Sequence, residues 1–268
     1  MNLNSKHILL TGASGGIGKA AAIALDNQGA VLSLVGRSKT SLNALRQQLS
    51  AAPHQLIVAD INNAEGRQSI SEHCRDIPLD ILINCAGVLA LDHFESQDPA
   101  SIDNIINTNL LSPMQLCRDL IPLLKIRKQA AIVNVGSIFG SIGHPGFSVY
   151  CASKFGLRGF TEALQRELAD SCIYVGYLAP RATDTNLNSA VIGAMNKQLG
   201  NSMDDPISVA KALLRQLNKH QPQRFMGWPE RLFVKINGLL PNVVAKALIK
   251  NLPVIKNAID QQHNSIEG

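Results

Sequence analysis

The absences in this chain narrow its function first. No apolar stretch approaches the roughly 20 residues needed to span a bilayer, and with the first apolar run only Ile8 to Leu10, no secretory leader is expected. The five cysteines, Cys74, Cys85, Cys117, Cys151 and Cys172, are odd in number and lack metal-ligand spacing. They read as buried thiols of a reducing, cytoplasmic compartment, and no metal site is expected. No linker and no repeat divides the 268 residues, so one large domain with a substantial core is expected. Charged residues make up only 17% and hydrophobic ones 46%, ordinary for a compact soluble protein. The net charge of +5 is not spread evenly. Arg231, Lys235, Lys246, Lys250 and Lys256 share one segment without an acid, and the rest is close to neutral. No nucleic-acid surface is expected from that distribution.

Strand-like and helical segments alternate along the chain. Strands are expected at 6–10, 30–35, 55–59, 79–84, 130–136 and 173–178, with a short one at 224–227. Helices are expected at 17–28, 41–49, 64–74, 102–124, 150–169 and 207–218. Pro113 must be absorbed by a bend or an end of the fourth. The alternation implies right-handed crossovers and a mostly parallel sheet covered on both faces, an α/β fold. After residue 228 the strand character stops and a C-terminal helical extension is expected over 229–268.

Between the first strand and first helix lies Thr11-Gly12-Ala13-Ser14-Gly15-Gly16-Ile17-Gly18. Glycines there let backbone approach a pyrophosphate, which a helix N-terminus stabilises. No Gly-Lys-Ser/Thr ends the run, so it is not a Walker loop. A ligand-free tight turn is the bland alternative, and it does not explain three glycines at these offsets. The second strand ends Val35-Gly36-Arg37-Ser38, without the acid that would accept from an adenosine ribose. Arg37 in that place favours the 2'-phosphate of NADP, with Ser38 assisting. Asp60, after the third strand, is placed to accept from an adenine amino group.

Tyr150 and Lys154 lie four residues apart, on one helical face, and Ser137 lies thirteen residues upstream of Tyr150. A phenol, an ammonium and a hydroxyl beside a nucleotide site form a proton-transfer set. A free tyrosine has a pKa near 10, and the ammonium, with the nicotinamide ribose of a bound cofactor, is expected to lower it. Tyr150 alone would read as a half-buried core residue. His144 and Cys151 have no partners that would make them a ligand or a nucleophile. His144 is expected at the substrate mouth or in solvent.

Together these motifs resemble the short-chain dehydrogenase/reductase family. The resemblance runs from about Lys6 to Asp205, through Thr11-Gly12, Gly16-Ile17-Gly18, Asn84-Cys85-Ala86-Gly87, Asn109, Ser137, and Tyr150 with Lys154. It implies a Rossmann-like doubly wound sheet and a catalytic set of Asn109, Ser137, Tyr150 and Lys154. Asn109 would interrupt its helix and help hold a water on the proton path. It further implies that NADP is held by Gly12, Ser14, Gly15, Gly16, Ile17, Gly18, Arg37, Ser38, Asp60, Ile61, Asn84, Ala86, Gly87, Tyr150, Lys154, Pro180, Thr183 and Thr185. Asn84 would also steady the central strand. One departure is Arg181, where the family usually has glycine; it is expected to stiffen the loop and carry charge near the nicotinamide.

Substrate choice is expected from 138–147 and from an apolar lid at 183–203. Both favour a hydrophobic ketone or aldehyde, or the corresponding alcohol. Rival readings are a dinucleotide-sensing protein without turnover and a nucleotide-sugar reductase or epimerase. The intact Ser137, Tyr150 and Lys154 speak against the first, and the short C-terminal portion against the second. The basic segment 229–256 reads as protein packing, in a homodimer or homotetramer, or as peripheral contact with an anionic membrane.

Overall fold

The computed structural model describes residues 1–267. Seven parallel strands form one sheet in the order β3-β2-β1-β4-β5-β6-β7. They are β1 (His7–Thr11), β2 (Val31–Gly36), β3 (Gln55–Val58), β4 (Leu79–Asn84), β5 (Ala130–Val135), β6 (Ile173–Ala179) and β7 (Gln223–Phe225). The central strands are buried throughout, and alternate residues feed opposite faces. Ile8, Leu10, Ile81, Ile83, Ala131 and Val133 enter one core. Leu9, Leu79, Leu82, Ala130 and Ile132 enter the other.

Helices cover both faces. On the first lie α1 (Gly16–Asp26), α2 (Lys39–Arg46) and a later helix, Pro206–Lys219, through Ala21, Leu25, Leu42, Leu213 and Leu217. On the second lie α3 (Ala64–Arg75), α5 (Ser112–Lys125) and α6 (Ser148–Glu167), through Ile70, Leu116, Leu120 and Leu164. The chain leaves β1 for β2 and β3 and then returns to β4 on the other side. That reversal opens a crevice outside the carboxyl ends of β1 and β4, where α/β sheets bind ligands.

The helix expected at 102–124 is divided. It becomes α4 (Pro99–Ile106), a π-helical turn at Asn107–Leu111 and α5. Pro113 sits in the first turn of α5, where a missing N–H costs little, and the widened turn lies immediately before it. The lid region holds one helix, α7 (Ala190–Gln198), followed by α8 (Pro206–Lys219). The tail folds as α9 (Glu230–Leu239), α10 (Pro241–Ile249) and α11 (Leu252–Glu267), broken where Pro241 and Pro253 start new helices. It does not stand apart. Ile255, Ala258 and Ile259 of α11 share a buried cluster with Leu91, Phe147, Tyr150, Ile192 and Met195.

At the end of the sheet opposite the crevice, three histidines, one in β1, one just before β3 and one in α3, bond to β2 and its neighbours. His7 Nε2 and His73 Nε2 both meet Ser33 Oγ, at 3.0 and 2.9 Å. His54 Nδ1 accepts from the Leu32 N–H at 3.1 Å and its Nε2 meets Asp26 at 2.9 Å. Burial holds all three below the usual imidazole pKa, outweighing the pull of Asp80, Asp26 and Asp76. The neutral rings are the folded forms. Stability from them is complete above the unfolded value near 6.5 and is lost as pH falls below it, because the unfolded chain then binds more protons. The melting temperature should therefore be flat from pH 8 to 7 and drop toward pH 5.5, with a shallower drop in His73→Gln. An unchanged profile in that variant would remove His73 from the account.

Candidate active site

The cradle forms because β1 ends in backbone that only glycine accepts. Gly12 has φ +65°, and a Cβ on it would sit 2.7 Å from Ala86 Cα. A Cβ on Gly18 would strike the Gly12 carbonyl oxygen, so α1 starts hard against the turn. Thr11 Oγ1 accepts from the N–H groups of Cys85 and Ala86 at 3.0 and 3.2 Å, locking the ends of β1 and β4 together. The N-cap residue of α1, Gly15, offers no side-chain acceptor to the first turn. The start of α1 therefore opens on a cleft of about 470 Å³ with N–H groups available to a pyrophosphate.

Gly12, Ser14, Gly15, Gly16, Ile17, Gly18, Arg37, Asp60, Ile61, Ala86, Gly87, Tyr150, Lys154 and Thr185 all border this cleft. Four residues assigned to the cofactor do not. Ser38 caps α2, its Oγ accepting from the Ser41 N–H at 3.2 Å. Asn84 lies behind the wall, donating to Asn134 Oδ1 at 2.9 Å and thereby joining β4 to β5. Pro180 and Thr183 border the adjoining cavity instead. Arg37 is exposed, with no ion-pair partner among the described residues. A Cβ at Gly36 would already lie 3.3 Å from Leu42 and 3.4 Å from Ser14 Oγ, leaving little room there for a longer side chain. The donor-rich turn and the cleft it opens on fit a nicotinamide dinucleotide.

The adjoining cavity, about 290 Å³, shares Ile17, Gly136, Tyr150, Thr185 and Leu187 with the cleft. Tyr150 stands at the junction. Burial pushes its pKa up to about 12, outweighing the downward pull of the nearby Ser137 hydroxyl. In the protein alone, Lys154 is not among the groups that shift it. Lys154 Nζ lies over the ring face, 5.7 Å from the centroid, and donates to the Val135 carbonyl at 3.2 Å rather than to the phenol. Burial brings Lys154 itself down to about 8. The protein alone thus holds a neutral phenol beside a weakened ammonium.

Two supports escaped the sequence reading. The Tyr177 hydroxyl accepts from the Ser137 N–H and donates to the Ser137 carbonyl, both at 3.2 Å. Any side chain at Gly136 or Gly140 would collide with that ring, and these flanking glycines were the available signal. Ser153 Oγ donates to the Tyr150 carbonyl at 2.7 Å and accepts from Asn109 Nδ2 at 3.1 Å. Asn109 sits in the π turn, and its amide also exchanges two bonds with Val88, at 2.9 and 2.8 Å. The side chain is thereby committed to protein groups, tying the π turn to both the β4 loop and α6.

The cavity walls come from 138–147 and the lid, as expected, and from α9 and α10, which were not. His144 is buried against Phe139, ring centroids 4.8 Å apart, and burial keeps it neutral; it lines the cavity and does not face solvent. Arg181 does not leave a free charge here. Its guanidinium meets Asp204 Oδ1 at 2.9 and 2.8 Å and Glu230 at 3.2 Å, strapping the lid base to α9. Burial pushes the Cys74, Cys85 and Cys117 thiols up to about 12, which makes them inert. The described residues contain no cluster suited to a metal.

Comparison with known proteins agrees with this geometry. A ketoacyl reductase, HetN, from Nostoc sp. is 34% identical over 220 residues, covering 80% of this chain and 76% of that protein. A 3-ketodihydrosphingosine reductase from Mus musculus is 33% identical over 193 residues, 68% of this chain and 58% of its own length. A short-chain dehydrogenase from Sphingobium yanoikuyae, solved in complex with NADPH, superposes with a TM-score of 0.77 at 25% identity, over 90% of this chain and 95% of that one. Other structures of the same fold carry NAD or NADP. The family model described as short chain dehydrogenase matches residues 6–195, and with the site assembled as above, the chain belongs to the short-chain dehydrogenase family of oxidoreductases.

Proposed function

We propose that the protein is an NADP-dependent reductase of an apolar ketone or aldehyde, able to oxidise the matching alcohol in reverse. The observation that carries this reading is Tyr150, a neutral phenol placed where a dinucleotide cleft meets an apolar cavity. The nicotinamide supplies the hydride. The protein's work is to hold the carbonyl and deliver a proton. Ser137 Oγ and the Tyr150 hydroxyl, which border the same cavity, converge on one carbonyl oxygen. As negative charge develops there, Tyr150 gives up its proton. The Lys154 ammonium behind the ring then stabilises the phenolate. The apolar walls exclude water and favour an alkyl or acyl chain beside the carbonyl. The names of two relatives, a ketoacyl reductase and a 3-ketodihydrosphingosine reductase, support a keto group as the site of reduction.

Three outcomes test the reading. Tyr150→Phe should keep its fold and NADPH binding while turnover of a good ketone falls about a hundredfold or more, the scale of a positioned proton donor. Near-normal kcat in that variant would refute the assignment. Arg37→Ala should weaken NADPH about tenfold or more, the worth of a charged hydrogen bond, and leave NADH nearly unchanged. Equal losses with both would show that Arg37 does not read the 2'-phosphate. Reduction should also decline as pH rises past about 8, where Lys154 loses its proton. Its folded pKa is depressed, so the cation is present below that value and absent above it. A rate that stays level to pH 10 would take the ammonium out of the mechanism.

A further inference from the structure

The outer side of α9 and α10 gathers several exposed apolar side chains. Leu239 and Leu240, at the turn between the helices, are 81% and 60% exposed. Val243 and Ile249 are more than half exposed, and Trp228, at the entrance to α9, is 73% exposed. Opposite side chains of the same helices, Val244 and Leu248, face inward and wall the substrate cavity. Packing on the protein's own core therefore accounts for one side of this segment only.

The charge pattern indicates what covers the other side. Arg231, Lys235, Lys246 and Lys250, spread along the same two helices, are all exposed, and no acid occurs between 231 and 256. A second copy meeting this face across a two-fold axis would set lysines against lysines. An anionic bilayer meets both features: hydrocarbon for the leucines and negative headgroups for the lysines. Tryptophan at the rim suits the headgroup layer. No helix among the described residues is long and apolar enough to cross a membrane, so the contact would lie on the surface. Phe233, on α9, lines the cavity and is also about two-fifths exposed, so the cavity reaches the surface beside these helices.

We propose that the α9–α10 hairpin docks on an anionic phospholipid surface and presents the cavity mouth to it, so that an acyl-chain carbonyl compound enters from the lipid. The entry route rests on the substrate class proposed above; the docking itself does not. The Arg181 strap to Asp204 and Glu230 ties the docked helix to the base of the lid. Docking and entry are thus mechanically joined.

The test uses the full chain, sedimented with phosphatidylcholine vesicles containing or lacking phosphatidylglycerol, at two salt concentrations. Binding should require the anionic lipid and weaken with salt. Lys235→Glu/Lys246→Glu/Lys250→Glu should reduce it by at least about tenfold, given the worth of each surface charge. Leu239→Asp/Leu240→Asp should abolish it while leaving the melting temperature and the reduction of a short water-soluble ketone unchanged. With a vesicle-borne long-chain ketone, both variants should lose rate. Absence of binding at low salt overturns the proposal, as does binding equal on neutral vesicles and unmoved by charge reversal. A subunit number that falls in the leucine variant, without vesicle binding by the parent chain, assigns the face to a second copy and overturns it too. Docking without turnover of any ketone would instead refute the substrate reading and leave the membrane surface standing.

Discussion

A parallel sheet must end all its strands on one side, and everything functional here depends on that constraint. The carboxyl ends of β1, β4, β5 and β6 deliver the glycine turn, Ala86 and Gly87, Ser137 and Pro180 to one crevice. Thr11 bonds the first two strand ends to each other, and the Asn84–Asn134 pair bonds the next two. With the ends fixed, one helix, α6, can span from the dinucleotide cleft to the substrate cavity and place Tyr150 where they join.

Burial then sets the chemistry. The same low-dielectric surroundings that raise Tyr150 also lower Lys154, so the phenol is kept protonated and the cation is made easier to discharge. Tyr177 adds rigidity without titrating: its hydroxyl, raised by the same burial, serves as a fixed donor and acceptor for the Ser137 backbone and also reaches the Lys154 carbonyl. A serine held at both its N–H and its carbonyl has few ways to turn its hydroxyl aside.

Much of this was legible from residues alone, for physical reasons. Glycines at Gly12, Gly16 and Gly18 declare close backbone approach, and Tyr150 with Lys154 declares one helix face. The alternation of Ile8, Leu9 and Leu10 declares a strand buried on both sides. What stayed hidden was long-range. Arg181 finds Asp204 and Glu230, 23 and 49 residues away, and nothing local announces that pairing. An apolar stripe such as Val243, Val244 and Leu248 looks alike whether it faces a core, a cavity or lipid, so the cavity wall formed by α9 and α10 could not be seen. Lys154 was expected to act on the phenol directly, but residue spacing carries no information on desolvation.

The central claim is that the Tyr150 and Ser137 hydroxyls hold the reacting carbonyl at the junction of two pockets. Its most direct measurement is a crystal structure of the ternary complex with NADP+ and an unreactive apolar ketone. The account predicts the ketone oxygen within about 2.6–3.2 Å of both hydroxyl oxygens, its chain running into the cavity bounded by Phe147, Ile192 and Leu248. A ketone whose oxygen lies away from Tyr150, or whose chain leaves through the dinucleotide cleft, would contradict it.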